Sequence, residues 1–210
     1  TRLSGKDRYE TAIQVNYERQ RVVSGGEAYG GDYSSYFLAS GSKFPDALVA
    51  APLIGQMKGQ FYDDNDPIGS NPAMYLALYN PDYFDYGWYI IGGESAIPHH
   101  HDYSVIGSGG IRIAGKNRYG TAVKIANMYP KETGKKIDTV VLASGLNYPD
   151  ALASSPYVSS RNAVLLLTNP NYLSIETRDY ILENNIKNIV IVGGTSAVSE
   201  NVVAIIKGLK

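Results

Sequence analysis

The sequence predicts an α/β fold built as two tandem Rossmann-like three-layer modules with parallel sheets, spanning residues 1–108 and 109–210. Three observations predict it. Three landmarks recur in one order: RLSGKDRYETA at 2–12 and RIAGKNRYGTA at 112–122, LASGSKFPDAL at 38–48 and LASGLNYPDAL at 142–152, YIIGGESAI at 89–97 and VIVGGTSAV at 190–198. Ordered recurrence of this kind marks a repeat protein. Short apolar runs ending in Ser-Gly or Gly-Gly alternate with stretches of helical period, a pattern that implies parallel strands joined by right-handed crossovers. The 210 residues suffice for two small hydrophobic cores.

The second copy carries the cleaner pattern. Ala122, Ile125, Ala126 and Tyr129 lie at i, i+3, i+4 and i+7, one face of a helix. Residues 139–143 form an apolar run expected as a strand buried on both faces. A helix follows, opened by Pro149, whose missing N–H has no partner in a first turn. Asp150 comes next, where a carboxylate favours the positive end of the helix dipole. Pro156 lies well inside that helix, so a kink or a stop is expected there, and Pro52 repeats the feature in the first copy. Residues 163–167 are a second strand. Ser174 is expected to cap a helix to about Asn184 with Glu176 in its first turn, 188–192 is a third strand, and Ser199 is expected to cap a last helix with Val202, Val203 and Ile206 inward.

The first copy is worn. The offset between copies falls from 110 to 104 to 101 residues along the chain, so extra residues lie between its landmarks, with 23–35 and 59–71 the candidates. Spacing from Pro52 puts Phe61, in GQFYDDND, where the second copy has its 164–167 strand, and that charged stretch is a poor central strand. Residues 61–98 hold six acids, no Lys or Arg, and a dense aromatic set that includes Tyr75, Tyr83, Trp88 and Tyr89. A helix after Gly93 is expected to be thin, with Pro98 followed by His99, His100 and His101.

Composition narrows the function. Net charge is −1, so overall charge does not point to nucleic acid, and no apolar run approaches the roughly 20 residues that cross a bilayer. No signal peptide is visible, so a secreted protein would be met here in mature or trimmed form. The chain has no cysteine, which excludes disulfides, thiol catalysis and thiolate metal sites. Eighteen tyrosines against four phenylalanines suit half-wet surfaces that meet protein or sugar.

The strongest candidates for ligand contact are the Arg-x-x-Gly-Lys-x-Arg corners. Residues 111–136 carry seven basic side chains and one acid, a local excess that suits an anionic ligand. Arg112, Lys116 and Arg118 are the leading residues, with Asn147 and Tyr148 at the facing turn and Arg2, Lys6 and Arg8 as weaker equivalents. Arg112 and Arg118 have the fork for phosphate or carboxylate oxygens. The competing expectation is that Arg8 and Arg118 pair with Asp46 and Asp150 to hold the repeats together. The Gly92-Gly93 and Gly193-Gly194 pairs stand where backbone amides bind phosphate, but neither completes Gly-x-Gly-x-x-Gly, and a tight turn at positive φ accounts for them equally. Asp46 and Asp150 lack a sequence-near histidine or nucleophile, so no catalytic residue is assigned. Neither the adjacent His99–His101 nor the run Asp63, Asp64, Asn65, Asp66 meets the spacing of a metal site, and no metal or cofactor is expected.

Taken together and in order, RIAGKNRYGTA, LASGLNYPDAL, the AVLLLT strand and VIVGGTSAVS, with their first-copy partners, resemble the cell-wall-binding type 2 repeat family of Gram-positive surface proteins. The resemblance spans nearly the whole chain. It implies an extracellular, non-catalytic anchor that holds a surface protein to the wall by binding an anionic secondary polymer, a polysaccharide or a teichoic-like chain. It also implies modules that come in threes about a pseudo-threefold axis, so two copies would need a third module or a second chain. The family's anchoring apolar triplet maps to Leu165, Leu166 and Leu167, and Asp150 falls in the matched helix start. The first copy departs by carrying acid where that triplet is expected. Two other readings are a structural module assembling through the tyrosine-rich acidic segment, and an enzyme using a nucleotide or sugar phosphate at the Gly-Gly turns.

Overall fold

A computed structural model describes residues 1–23, 36–57, 73–77, 88–98 and 111–209. In chain order its elements are α1 (Arg8–Val23), β1 (Tyr36–Ser40), α2 (Phe44–Gln56), β2 (Ala73–Ala77), β3 (Trp88–Ile91), β4 (Ile111–Ile113), α3 (Arg118–Thr133), β5 (Thr139–Ser144), α4 (Pro149–Ser160), β6 (Ala163–Thr168), α5 (Ile175–Glu183), β7 (Asn188–Ile191) and α6 (Glu200–Lys207). The chain divides into two compact units: Thr1–Lys43 with Met57–Arg112, and Phe44–Gln56 with Ile113–Lys210. Helix α2 thus lies in the second unit, although by sequence it belongs to the first copy.

In the first unit the sheet order is β2-β1-β3-β4, with β1 parallel to β2 and β3. Phe37, Leu38, Ala39, Ile90 and Ile91 fill its core, and the Phe37 and Tyr89 rings stack at 4.9 Å. Helix α1 packs on β2, and Asn16, buried in that contact, donates to the Met74 carbonyl at 2.7 Å.

In the second unit the order is β6-β5-β7, all parallel. Every residue of β6 is buried, as expected for a strand covered on both faces. Helices α3 and α5 touch each other and β6, while α4 touches β5 and β6. Helix α2 packs against α3, α4 and β6. Its Gln56 amide donates to the Val158 carbonyl at 3.2 Å, where α4 nears its end. The predicted face of α3 is in place: Ala122, Ile125, Ala126 and Tyr129 are at most 1 % exposed.

Three expectations are corrected. The partner of β1 is not the charged stretch near Phe61, which lies outside the described residues, but β2. Ser40 pairs with Ala77 as Ser144 pairs with Thr168, so Met74, Tyr75 and Leu76 occupy the register of Leu165, Leu166 and Leu167. The first copy therefore has an uncharged strand there, with residues added before it. Residues 78–87 alone separate β2 from β3, whereas 169–187, including α5, separate β6 from β7.

Second, of the kink or stop expected at each internal proline, the stop does not occur. Pro52 and Pro156 both lie inside helices that run on to Gln56 and Ser160. In α4 Pro156 has no amide to offer the Leu152 carbonyl one turn back, and Leu152 is an exposed residue, so the loss falls on the wet side of the helix. Third, Ser174 begins α5 without a side-chain cap: its hydroxyl donates to the Leu167 carbonyl at 3.4 Å, beside Thr177 at 2.7 Å. Ser199 does cap α6, accepting from the Val202 amide at 3.5 Å. The insertions proposed at 23–35, apart from Val23 at the end of α1, and at 59–71, the acidic run 63–66, Tyr83 and the histidines 99–101 lie outside the described residues.

Candidate functional site

The corners are built alike in both copies. Asp7 and Asn117 stand before α1 and α3, and each side-chain oxygen accepts from two first-turn amides: Tyr9 and Glu10 for Asp7, Tyr119 and Gly120 for Asn117. Thr11 and Thr121 close the loop, each hydroxyl accepting from the amide of Gly5 or Gly115 at 3.0 Å and donating back to the Asp7 or Asn117 carbonyl. Gly115 is required because a Cβ there would lie 2.2 Å from the Gly120 backbone. The Ser-Gly turn after each first strand then meets the corner. Arg8 donates to the Gly41 carbonyl at 2.7 Å, Arg118 donates to the Gly145 carbonyl, and the rings of Tyr9 and Tyr119 fill the space that a Cβ on either glycine would need.

This overturns the expected pairing of Arg8 and Arg118 with Asp46 and Asp150: the arginines hold backbone carbonyls instead. Asp46 is 8 % exposed. The Asp150 carboxylate faces the Gly193 turn, where a Cβ on Gly193 would come within 2.5 Å of its Oδ2. Gly92 and Gly193 have φ of 112° and 106°, so the first glycine of each pair makes a tight turn that L residues rarely adopt. The following residues turn rather than enter a helix, with amides 96 and 97 returning to the Gly93 carbonyl and 197 and 198 to Gly194.

The structure therefore brings Arg118, the 146–148 turn, Asp150 and the Gly193 turn together at the carboxyl ends of β5 and β7, the rim where open parallel sheets receive ligands. Lys116, Arg118, Asn147 and Tyr148 are exposed there. Tyr148 meets the ring of Phe44, its first-copy equivalent, at 5.0 Å. Sequence reasoning missed the neighbouring side chains at the end of β6. Asn117 donates to Glu176 at 2.8 Å, and burial raises the pKa of the Tyr119 phenol, an effect its hydrogen bond with Asn169 opposes. The Asn-x-x spacing ahead of α3 was the signal that could have marked Asn117 as a cap.

The other candidates lie elsewhere or are occupied. Arg112 forks onto the Gly92 carbonyl at 2.6 Å and the Ile97 carbonyl at 3.1 Å, half-buried in the first unit. Lys6 pairs with Glu10 at 2.7 Å. Arg2 is exposed and has no hydrogen-bond or ion-pair partner among the described residues. Leu165, Leu166 and Leu167 are at most 2 % exposed, so their side chains build the core beneath the rim rather than its surface. Among the described residues no group of three His, Asp or Glu side chains is placed to hold a metal, and no helix is long and apolar enough to cross a membrane.

Comparison with known proteins fits these two corners. The chain is 44 % identical over 98 residues to the N-acetylmuramoyl-L-alanine amidase LytC of Bacillus subtilis (strain 168), a match covering 47 % of this chain and 19 % of that protein. It is 28 % identical over 203 residues to the amidase enhancer of the same organism, covering 96 % and 25 %. Among solved structures, Cwp6 from Clostridium difficile superposes with a TM-score of 0.73 at 19 % identity, covering 99 % of this chain and 31 % of that one. Cwp8 does so at 0.68 and 22 %, covering 99 % and 33 %. These likenesses show the two-module α/β fold, and the chain spans a third or less of each protein's length. The model of the Cell wall binding domain 2 family matches residues 2–101 and again 112–203, so this chain belongs to that family as two tandem copies, and its place is outside the cell, at the wall.

Proposed function

We propose that the chain attaches a larger protein to the cell wall by binding an anionic wall polymer at the rim of the second unit, with no bond made or broken. Lys116 and Arg118 supply the charge, Asn147 and Tyr148 the facing polar and aromatic contacts, and Asp150 lies against the Gly193 turn beside them. The observation that carries this reading is what the corner leaves over. Its glycine, cap, threonine and tyrosine serve the fold and Arg118 gives it one guanidinium nitrogen while remaining exposed, whereas Lys116 is exposed and has no hydrogen-bond or ion-pair partner among the described residues. An exposed cation that does nothing for the fold is free to meet a negative solute.

The test is sedimentation with isolated wall polymer at rising salt. Binding through Lys116 and Arg118 weakens as salt screens the charges, and the Lys116→Glu/Arg118→Gln double variant loses most of it while melting as a folded protein. Binding indifferent to both salt and the double variant removes the electrostatic reading and leaves only membership of a wall-binding family.

A further inference from the structure

The first copy supplies an ammonium group at a position where the second copy has none. Lys43, exposed on the turn after β1, donates from Nζ to the Ser95 carbonyl at 2.5 Å and so straps that turn to the one after β3. The equivalents of Lys43 and Ser95 are Asn147 and Ser196, on the turns after β5 and β7. Both are exposed. Among the described residues the Asn147 side chain has no hydrogen-bond partner, and nothing donates to the Ser196 carbonyl. The strap of the first rim is missing from the second.

A carboxylate borders the same place. A Cβ on Gly193 would lie 2.5 Å from Asp150 Oδ2 and 2.7 Å from the Ala197 Cβ, so the acid flanks the turn that carries Ser196. Asp150 is half-buried and has no hydrogen-bond or ion-pair partner among the described residues. Arg118 donates to the Gly145 carbonyl and makes no ion pair with it. An unpaired carboxylate on the rim of an anion site works against the ligand, because like charges brought together cost affinity. The cost disappears if a cation comes to stand against it.

We propose that the ligand brings that cation. The second unit takes a polymer whose repeating unit carries an amine as well as an anionic group. The ammonium donates to the Ser196 carbonyl, as Lys43 does to Ser95, and lies against the Asp150 carboxylate. Asn147 offers its side-chain oxygen as a further acceptor, which suits a group with three N–H donors. The anionic groups stay with Lys116 and Arg118. This rests on the wall-polymer reading and narrows the polymer to a zwitterionic chain, whether the amine belongs to an aminosugar or to an aminoacyl ester.

Sedimentation with isolated wall polymer, untreated and N-acetylated, tests it. Acetylation removes the ammonium charge and leaves the anionic groups, so the affinity of the parent chain should fall by about fivefold, the upper worth of an exposed ion pair. Mild alkali strips aminoacyl esters and spares aminosugars, so an equal fall after alkali assigns the amine to an ester and an unchanged affinity assigns it to a sugar. Asp150→Asn, melting as a folded protein, should bind both polymers alike. Asn147→Lys, which restores the strap of the first copy and leaves the helix start untouched, should also lose the preference. A polymer that binds yet contains no free amine overturns the proposal. So does a parent chain that binds the acetylated polymer equally well or better, and so does either variant keeping the parent's preference; in these cases salt-sensitive binding leaves the wall-polymer reading standing. A chain that binds neither polymer overturns that reading and this one together.

Discussion

In the first copy the corner lysine, Lys6, lies 2.7 Å from Glu10; in the second, the position of Glu10 is Gly120, and Lys116 stands without a partner among the described residues. The two corners otherwise share their cap, their threonine loop and their arginine on the Ser-Gly turn. The difference teaches that the repeated residues of the motif maintain a fold, and that its charge is a separate property which one copy neutralises and the other leaves available. Hydrogen bonding to Lys6 accordingly holds the Glu10 carboxyl below the usual carboxylate range.

The largest effect that tests the comparison is on the scaffold. Leu167, 1 % exposed, and Leu76, half-buried, occupy one register in the two sheets. Leu167→Ala is expected to cost about 2–5 kcal/mol in urea unfolding, and Leu76→Ala distinctly less. Equal losses would break the claim that the second sheet is the better sealed.

Alkaline pH separates the copies next. Burial pushes the Tyr180 phenol up to about 12 and Tyr129 higher still, and the equivalent of Tyr129 in the first copy is Arg19. A phenol whose folded pKa is raised contributes stability that is complete below the unfolded value near 10 and is lost as pH climbs above it. Stability should therefore fall above pH ~10 by about 1.4 kcal/mol per pH unit for each phenol, the Tyr180 share ending near pH 12. The Tyr129 hydroxyl is buried with no hydrogen-bond partner among the described residues, so Tyr129→Phe should flatten that fall and leave neutral-pH stability equal or higher. A steeper fall in this variant would contradict the burial argument.

The cap is a smaller matter: Asn117→Ala should cost about 1 kcal/mol, and Asp7→Ala a similar amount, as read by thermal melts. A large inequality would show that the corners are not equivalent scaffolds. Smallest is the charge itself. Gly120→Glu should tie Lys116 down, and Glu10→Gly should release Lys6. Exposed ion pairs are worth about 0.2–1 kcal/mol, so polymer affinity should move by no more than about fivefold, down in the first variant and up in the second. No change in either would detach Lys116 from the binding site.

Much of this was legible in the sequence because it rests on local chemistry. The period of α3, the apolar runs of β5 and β6, and the proline-opened helices each follow from residues a few positions apart. What was not legible depended on partners far along the chain. Counting from Pro52 led to Phe61, since nothing local distinguishes added residues from a degraded strand; only the pairing of Ser40 with Ala77 identifies β2. The arginines looked set for carboxylates because opposite charges attract, yet in the fold the Gly41 and Gly145 carbonyls lie nearer to hand. Leu165, Leu166 and Leu167 looked like contact residues by resemblance, but a run of leucines in a strand covered on both faces is drawn inward by its own burial.

Helix α2 also has a consequence for how the protein comes into being. Translation delivers it early, yet α3, α4 and β6, which bury its apolar stripe, lie beyond residue 117. Until those later segments emerge, Leu48, Val49 and Leu53 remain adhesive, and the interval depends on the pace of synthesis and export rather than on final stability. Cutting the gene at the midpoint between repeats would make that wait permanent, leaving one fragment with a bare helix and the other without the helix that packs on α3, α4 and β6.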